Sequence, residues 1–132
     1  MAFLIDADVL IQAERRAEDL DAWLSSQPGN EIKIAAITVA DLWRSASRAT
    51  GPNRARRQKF IERALPLFEV VPYTGSAAAE HARLWAEVEA AGQRITPHDL
   101  MLAATALDAG AAIVTFNTKR FAAIHGLTVL TP

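Results

Sequence analysis

The sequence of 132 residues contains no cysteine, which excludes disulfide bonds and thiolate metal sites. It has no apolar run approaching the roughly 18 residues of a membrane-spanning helix. No basic segment with a following cleavage site, as in a signal peptide, precedes the first apolar stretch. The net charge is −1, so any affinity for nucleic acid or an acidic membrane has to be local. We therefore expect a cytoplasmic protein with no membrane association.

Several catalytic motifs are absent as well. There is no GxGxxG segment and no P-loop, the usual signatures of dinucleotide and nucleotide binding. No serine lies in a nucleophile elbow, and the three histidines are scattered, so a Ser-His-Asp triad has little support. We expect His98 to have a solvated or capping role, with a position facing the site beside Asp99 as the alternative, and His81 and His125 to lie at the surface.

The residues that are present predict a single α/β domain over residues 1–132. Hydrophobic residues make up 51% of the chain, enough for a proper core. A uniformly apolar first strand, typical of the interior of a parallel sheet, ends at Asp6. Four further strands alternate with helices, at residues 32–37, 68–72, 111–115 and 127–130. This alternation predicts a three-layer α/β/α fold with a mainly parallel sheet of four to five strands.

Three acids lie at element ends that could share one edge of this sheet. Asp6 closes the first strand, and Asp99 lies in the first turn of the helix before the fourth strand. Asp41 follows the second strand, in the first turn of a helix that Thr38 is predicted to cap. Asp8 is the predicted N-cap of the first helix. Because ligands of open α/β sheets bind at the carboxyl ends of the strands, we expect the three acids to converge.

Converging carboxylates point to a divalent cation. Three carboxylates held together repel one another, and burial strengthens that repulsion. A site with only oxygen ligands suits Mg²⁺ or Mn²⁺, ions that activate water and stabilise charge on a phosphodiester. A second interpretation remains open, because Asp6 and Asp8 also resemble the DxDxV segment of aspartate-nucleophile phosphatases. Those enzymes need a further acid after a later strand, and residues 114–117 supply none.

Four segments resemble the PIN-domain family, and in particular the VapC toxins of bacterial toxin–antitoxin pairs. Residues 4–11 look like the family's apolar-Asp-Thr-Asn/Ser-apolar opening, and residues 36–42 resemble its Thr-x-x-Glu-Leu segment. Most specific are residues 97–107 and 113–121, which resemble Asp-x-x-Ile-Ala-Ala-Thr-Ala followed by Val-Thr-x-Asn-x-x-Asp-Phe. The resemblance implies a PIN-like fold and an endoribonuclease dependent on Mg²⁺ or Mn²⁺. It also implies a homodimer that a VapB-type antitoxin neutralises by placing its tail in the site.

The resemblance assigns site roles by position. Asp6, Asp41 and Asp99 would be the catalytic, metal-binding acids, and Thr115 and Asn117 would support the site.

The chain departs from the family pattern at four places in the site. Asp41 replaces the usual glutamate, Ala7 replaces a hydroxyl residue, and Asp8 stands where a neutral cap is usual. Arg120 takes the position of an acid, and Asn117 is not acidic either, so a fourth acid is missing or is supplied by Asp8. These departures keep a second functional interpretation open, a catalytically weak PIN-fold module that only binds RNA or a protein.

Basic residues follow the second strand and offer a local patch for RNA phosphate. The candidates are Arg44, Arg48, Arg54 and Arg57. A solvated helix face and a docking surface for an antitoxin are the alternative interpretations of the same residues.

Overall fold

A parallel sheet of five strands forms the centre of the computed structural model, which describes residues 1–132. The strands are β1 Ala2–Ile5, β2 Glu31–Ala35, β3 Glu69–Val71, β4 Ala111–Val114 and β5 Val129–Leu130. Their order in the sheet is β3-β2-β1-β4-β5, and every neighbouring pair is parallel. The predicted α/β class and parallel sheet are therefore confirmed.

Six helices connect these strands. They are α1 Ala7–Ala13, α2 Ala17–Ser25, α3 Ala36–Arg48, α4 Pro52–Ala64, α5 Gly75–Ala90 and α6 Pro97–Ala109. A one-turn helix, Thr118–Phe121, follows β4. None of the helices has both the length and the apolar character needed to cross a membrane.

The strand order reverses between β1 and β4. The chain steps from β1 to β2 and β3 on one side, and then crosses over to place β4 on the other side of β1. Such a reversal leaves a crevice beyond the carboxyl ends of the two central strands, which is where open α/β sheets bind ligands. Asp6 and Thr115 directly follow these two strands.

Two hydrophobic cores, one on each face of the sheet, account for the three layers. Side chains of a strand alternate between faces, so Leu4 belongs to one core and Phe3 and Ile5 to the other. The Leu4 core includes Leu84 from α5 and Leu102 from α6. The opposite core takes its helical residues from α1, α3 and α4.

The boundary between β2 and α3 differs from the prediction. The strand ends at Ala35, and the helix begins at Ala36 with no side-chain cap, so the expected cap at Thr38 is wrong. Thr38 is instead a fully buried residue within the first turn. Alanine favours helix, and the buried residues of α3 recur every four positions, which draws the apolar end of the predicted strand into the helix. Asp41 consequently lies in the second turn.

Candidate active site

Asp6 is the most buried acid of the site. Its backbone N–H donates to the Val114 carbonyl at 2.9 Å, which continues the β1–β4 pairing by one residue. Its side chain is the N-cap of α1, where Oδ1 accepts from the Ala7 N–H at 2.8 Å. Oδ2 accepts from Thr115 Oγ1 at 2.9 Å and from Arg120 Nη1 at 2.8 Å. With 2% of its surface exposed, Asp6 depends on these donors in place of water.

Asp99 approaches the same point from α6. The hydroxyl of Thr96 caps that helix by accepting from the Asp99 N–H at 3.1 Å, and the carboxylate lies in the first turn. Asp99 Oδ1 accepts from Arg120 Nη2 at 2.5 Å and Nε at 3.1 Å. One guanidinium thus bridges Asp6 and Asp99, two acids that lie at the carboxyl edge of the sheet as the sequence predicts.

Asp41 reaches this cluster through a histidine. Its Oδ1 lies 2.8 Å from His98 Nε2, and the other ring nitrogen, Nδ1, lies 3.5 Å from Asp99 Oδ1. His98 therefore faces the site, the alternative to its expected solvated or capping role, because its imidazole lies between Asp41 and Asp99. The Arg120 guanidinium lies between Asp6 and Asp99, and its positive charge relieves the repulsion between those two carboxylates.

Asp8 turns toward the segment after β4. Its predicted role as the N-cap of α1 is wrong, because α1 begins at Ala7 and Asp6 is the cap. The Asp8 carboxylate accepts from the Phe116 N–H at 3.1 Å and lies 3.2 Å from Thr115 Oγ1. Asn117 reaches the site through its backbone only, since its N–H donates to Thr115 Oγ1 at 3.2 Å. The Thr115 hydroxyl therefore contacts Asp6, Asp8 and the backbone of this segment.

Burial and neighbouring charges shift the pKa values of three groups in the site. Burial acts to raise the pKa of Asp99, but the bonds and charge of Arg120, with Thr96 and His98, bring it below the ordinary value. Burial opposes the charge of Arg120 too, and its two acid partners nevertheless raise its pKa. Burial and the charge of Asp6 raise the pKa of Asp8. Asp99 therefore ionises more readily than an ordinary aspartate, and Asp8 ionises less readily.

Asp8→Asn should stabilise the metal-free protein at neutral pH, raising Tm by about 3 °C. A raised native pKa means that the folded state binds more protons than the unfolded state between the ordinary pKa of 3.8 and the raised value. Wild-type stability therefore falls as pH rises through that window, and asparagine avoids the loss. Thermal melts across pH, with exposed Asp21→Asn as the control, should show the gain above the window and its disappearance below it. A lower Tm for Asp8→Asn at neutral pH would contradict this account.

Two of the four predicted RNA-binding arginines, Arg54 and Arg57, bond to residues outside the acid cluster. Arg57 bonds to Glu14 Oε2 and Ser45 Oγ, both at 2.9 Å, and Arg54 bonds to the Ala49 carbonyl at 2.9 Å. These two side chains hold α4 against the C-terminal end of α3. Arg44 and Arg48 are exposed.

A groove of about 550 Å³ opens beside Asp99, between α5, α6 and the one-turn helix. Three basic side chains line it, Arg94, Lys119 and Arg120, together with the acids Glu89 and Asp99. Arg94 and Lys119 were not among the predicted functional residues. Lys119 belongs to the basic pair Lys119-Arg120 shortly after Thr115, whereas no local pattern marks Arg94.

The surface positions predicted for the other two histidines are confirmed for one of them only. His125 is exposed as predicted, but the surface position expected for His81 is wrong. That ring is buried, bonded through Nδ1 to Tyr73 Oη at 2.8 Å and stacked on Trp85.

Comparison with known proteins identifies the family. The PIN domain family model matches residues 3–127. The chain is 31% identical to Ribonuclease VapC1 of Rickettsia felis, over 99% of this chain and 96% of that protein. The chain is a PIN domain of the VapC family. Among solved structures, VapBC2 of Rickettsia felis bound to a promoter DNA fragment is 22% identical, with a TM-score of 0.88 over 100% of this chain and 99% of that one. A toxin–antitoxin complex from Klebsiella pneumoniae is 26% identical, with a TM-score of 0.71 over 100% and 98%.

The carboxylate oxygens of the site suit a divalent ion, although here they form ion pairs with Arg120. No three acidic or histidine side chains stand close enough together to ligate one metal ion. Asp6 and Asp99 nevertheless direct carboxylate oxygens at one shared cation, the guanidinium of Arg120. Oxygen donors of this kind fit Mg²⁺ or Mn²⁺. The guanidinium is several atoms wide, so the carboxylates must move closer to bind an ion at about 2.1 Å.

Proposed function

We propose that this VapC-family protein is a metal-dependent endoribonuclease toxin, neutralised by a VapB-type antitoxin. The observation that carries the proposal is the pair of buried carboxylates, Asp6 and Asp99, that share one cation at the sheet's switch point. The relative named Ribonuclease VapC1 supports RNA as the substrate. The Klebsiella pneumoniae toxin–antitoxin complex supports an antitoxin as the partner.

Asp6 and Asp99 are the residues that would hold Mg²⁺ or Mn²⁺, with Asp41 and Asp8 as the nearest further carboxylates. When bound, such an ion supplies an activated water and stabilises the charge that develops on the scissile phosphate. The low pKa of Asp99 keeps that carboxylate ionised and able to bind a cation. Thr115 fixes Asp6 by donating to Oδ2, which leaves the carboxylate little freedom to turn away. His98 holds Asp41 at the edge of the same site.

The groove beside Asp99 is the path we propose for the RNA backbone. Arg94 and Lys119 line it and offer positive charge to the phosphates that flank the scissile bond. Because the net charge of the protein is near zero, binding depends on this local patch. Affinity should therefore fall as salt concentration rises.

Removal of divalent metal should abolish RNA cleavage. Protein treated with a chelator and then desalted should leave a mixed tRNA and rRNA substrate intact, and added Mn²⁺ or Mg²⁺ should restore cleavage. Product formation on denaturing gels is the measurement, with an equal concentration of K⁺ as the ionic-strength control. Full-rate cleavage by the metal-free protein, or intact RNA in the presence of every metal tested, would refute the proposal.

A non-catalytic PIN-fold module is the second candidate. The position of Arg120 favours it, because that guanidinium already occupies the oxygens that a metal needs. Titration with Mn²⁺ discriminates between the two, since a module without a metal site gives no binding heat at millimolar Mn²⁺. The family assignment leaves the aspartate-nucleophile phosphatase without support.

A further inference from the structure

The single positive charge of Arg120 neutralises only part of the negative charge of Asp6 and Asp99. Asp6 and Asp99 together carry two negative charges, and one guanidinium neutralises one of them. Asp8, a third acid on Thr115, adds to the negative field around Asp6. A divalent ion in the same place would balance the pair fully, so Arg120 is a weaker match to the site than a metal.

We propose that Arg120 is a resident counter-ion that holds Asp6 and Asp99 in place without metal and must leave before metal binds. The inference rests on the proposed metal-dependent function and adds a competitor for its metal. Arg120 acts through the two acids, so it is a positioning residue.

Competition follows from the atoms that Arg120 uses. Nη1 binds Oδ2 of Asp6, and Nη2 and Nε bind Oδ1 of Asp99. These oxygens face the space between the two acids, so the guanidinium and a metal would share the same ligand atoms. A cation and a guanidinium also repel each other at such short range. The two states are therefore exclusive.

Unequal burial determines which partner moves. The side chain of Arg120 is 25% exposed, compared with 2% for Asp6 and 10% for Asp99. Arg120 also lines the groove beside Asp99, so its guanidinium can turn into the solvent of that groove. The residue that follows, Phe121, is buried in the core and anchors the one-turn helix. Arg120 therefore leaves by rotation of its side chain, with the backbone of the one-turn helix left in place, and the two carboxylates then move closer together on the ion.

Calorimetric titration of Mn²⁺ into chelator-stripped protein tests the inference. Arg120→Ala should bind Mn²⁺ at least about 10-fold more tightly than wild type, because no fraction of the protein is held in the competing ion-paired state. Lys119→Ala, the neighbouring charge that touches neither acid, should stay within about twofold of wild type, because an exposed charge is screened by salt. Without metal, Arg120→Ala should melt at a lower temperature than wild type, and saturating Mn²⁺ should remove that difference. Arg120→Gln replaces Arg120→Ala if the alanine variant does not fold.

Equal or weaker Mn²⁺ binding by the Arg120 variants would overturn the counter-ion role. A purely structural role would lower Tm in both conditions and leave the affinity unchanged. RNA cleavage, measured in parallel, separates the two proposals. Tighter Mn²⁺ binding by the variants supports the counter-ion role even if no protein cleaves RNA, whereas unchanged affinity with intact metal-dependent cleavage overturns that role alone.

Discussion

Asp99→Asn should reduce the kcat/KM for RNA cleavage by at least about 1000-fold, which corresponds to a loss of about 4 kcal/mol of transition-state stabilisation. Asparagine keeps the shape of the side chain but removes the negative charge that a divalent cation needs. The Thr96 cap bonds to the backbone of residue 99, so it survives the change. Helix α6 should therefore remain intact, and the effect should fall on the chemistry.

Asp6→Asn should cause a loss of similar size, because both acids share the one cation position. Asp21→Asn, an exposed acid away from the site, is the matched control and should retain wild-type activity. Initial rates on a fluorescent RNA, with circular dichroism to verify folding, provide the measurement. Activity of Asp99→Asn within about tenfold of wild type would remove this residue from the site.

Phe121→Ala should lower the free energy of unfolding by about 3–5 kcal/mol. The side chain is 2% exposed and packs in the core shared by α5 and α6, so its removal leaves a cavity. The centroid of the ring also lies 5.0 Å from the guanidinium carbon of Arg120, so the substitution removes a cation–π contact to that residue.

Phe116→Ala is the matched control for this cavity. Phe116 precedes the same one-turn helix but is 41% exposed, and its contact with Asp8 is made by the backbone. Its replacement should change the free energy of unfolding by less than about 1 kcal/mol. Urea denaturation of both variants gives the comparison. Similar losses for the two phenylalanines would show that Phe121 is not the anchor of this segment.

Local sequence patterns predicted two of the element ends that carry the site, the end of β1 at Asp6 and the first turn of α6 at Asp99. Such ends have local signals, because burial and capping act on neighbouring residues. The parallel sheet then brings Asp6 and Thr115 together. The start of α3 was misplaced because alanine and isoleucine are compatible with both strand and helix, and only tertiary packing decided between them.

Long-range side-chain contacts could not be predicted in this way. Arg120 was noted only as a departure from the family pattern, yet it bonds to an acid 114 residues earlier in the chain. His98 was likewise predicted to be solvated, and its bond to Asp41 spans 57 residues. Spacing along the chain carries no information about such pairs, because they depend on how three separate elements pack at the sheet edge.

Asp6 and Asp99 form one cation position that Arg120 fills in the absence of metal. Anomalous diffraction from crystals of the wild-type protein soaked in Mn²⁺ distinguishes the two occupants. We expect a manganese peak between the carboxylates of Asp6 and Asp99, with the Arg120 guanidinium turned into the adjacent groove. A guanidinium that still bridges both acids, with no peak between them at saturating Mn²⁺, would contradict it.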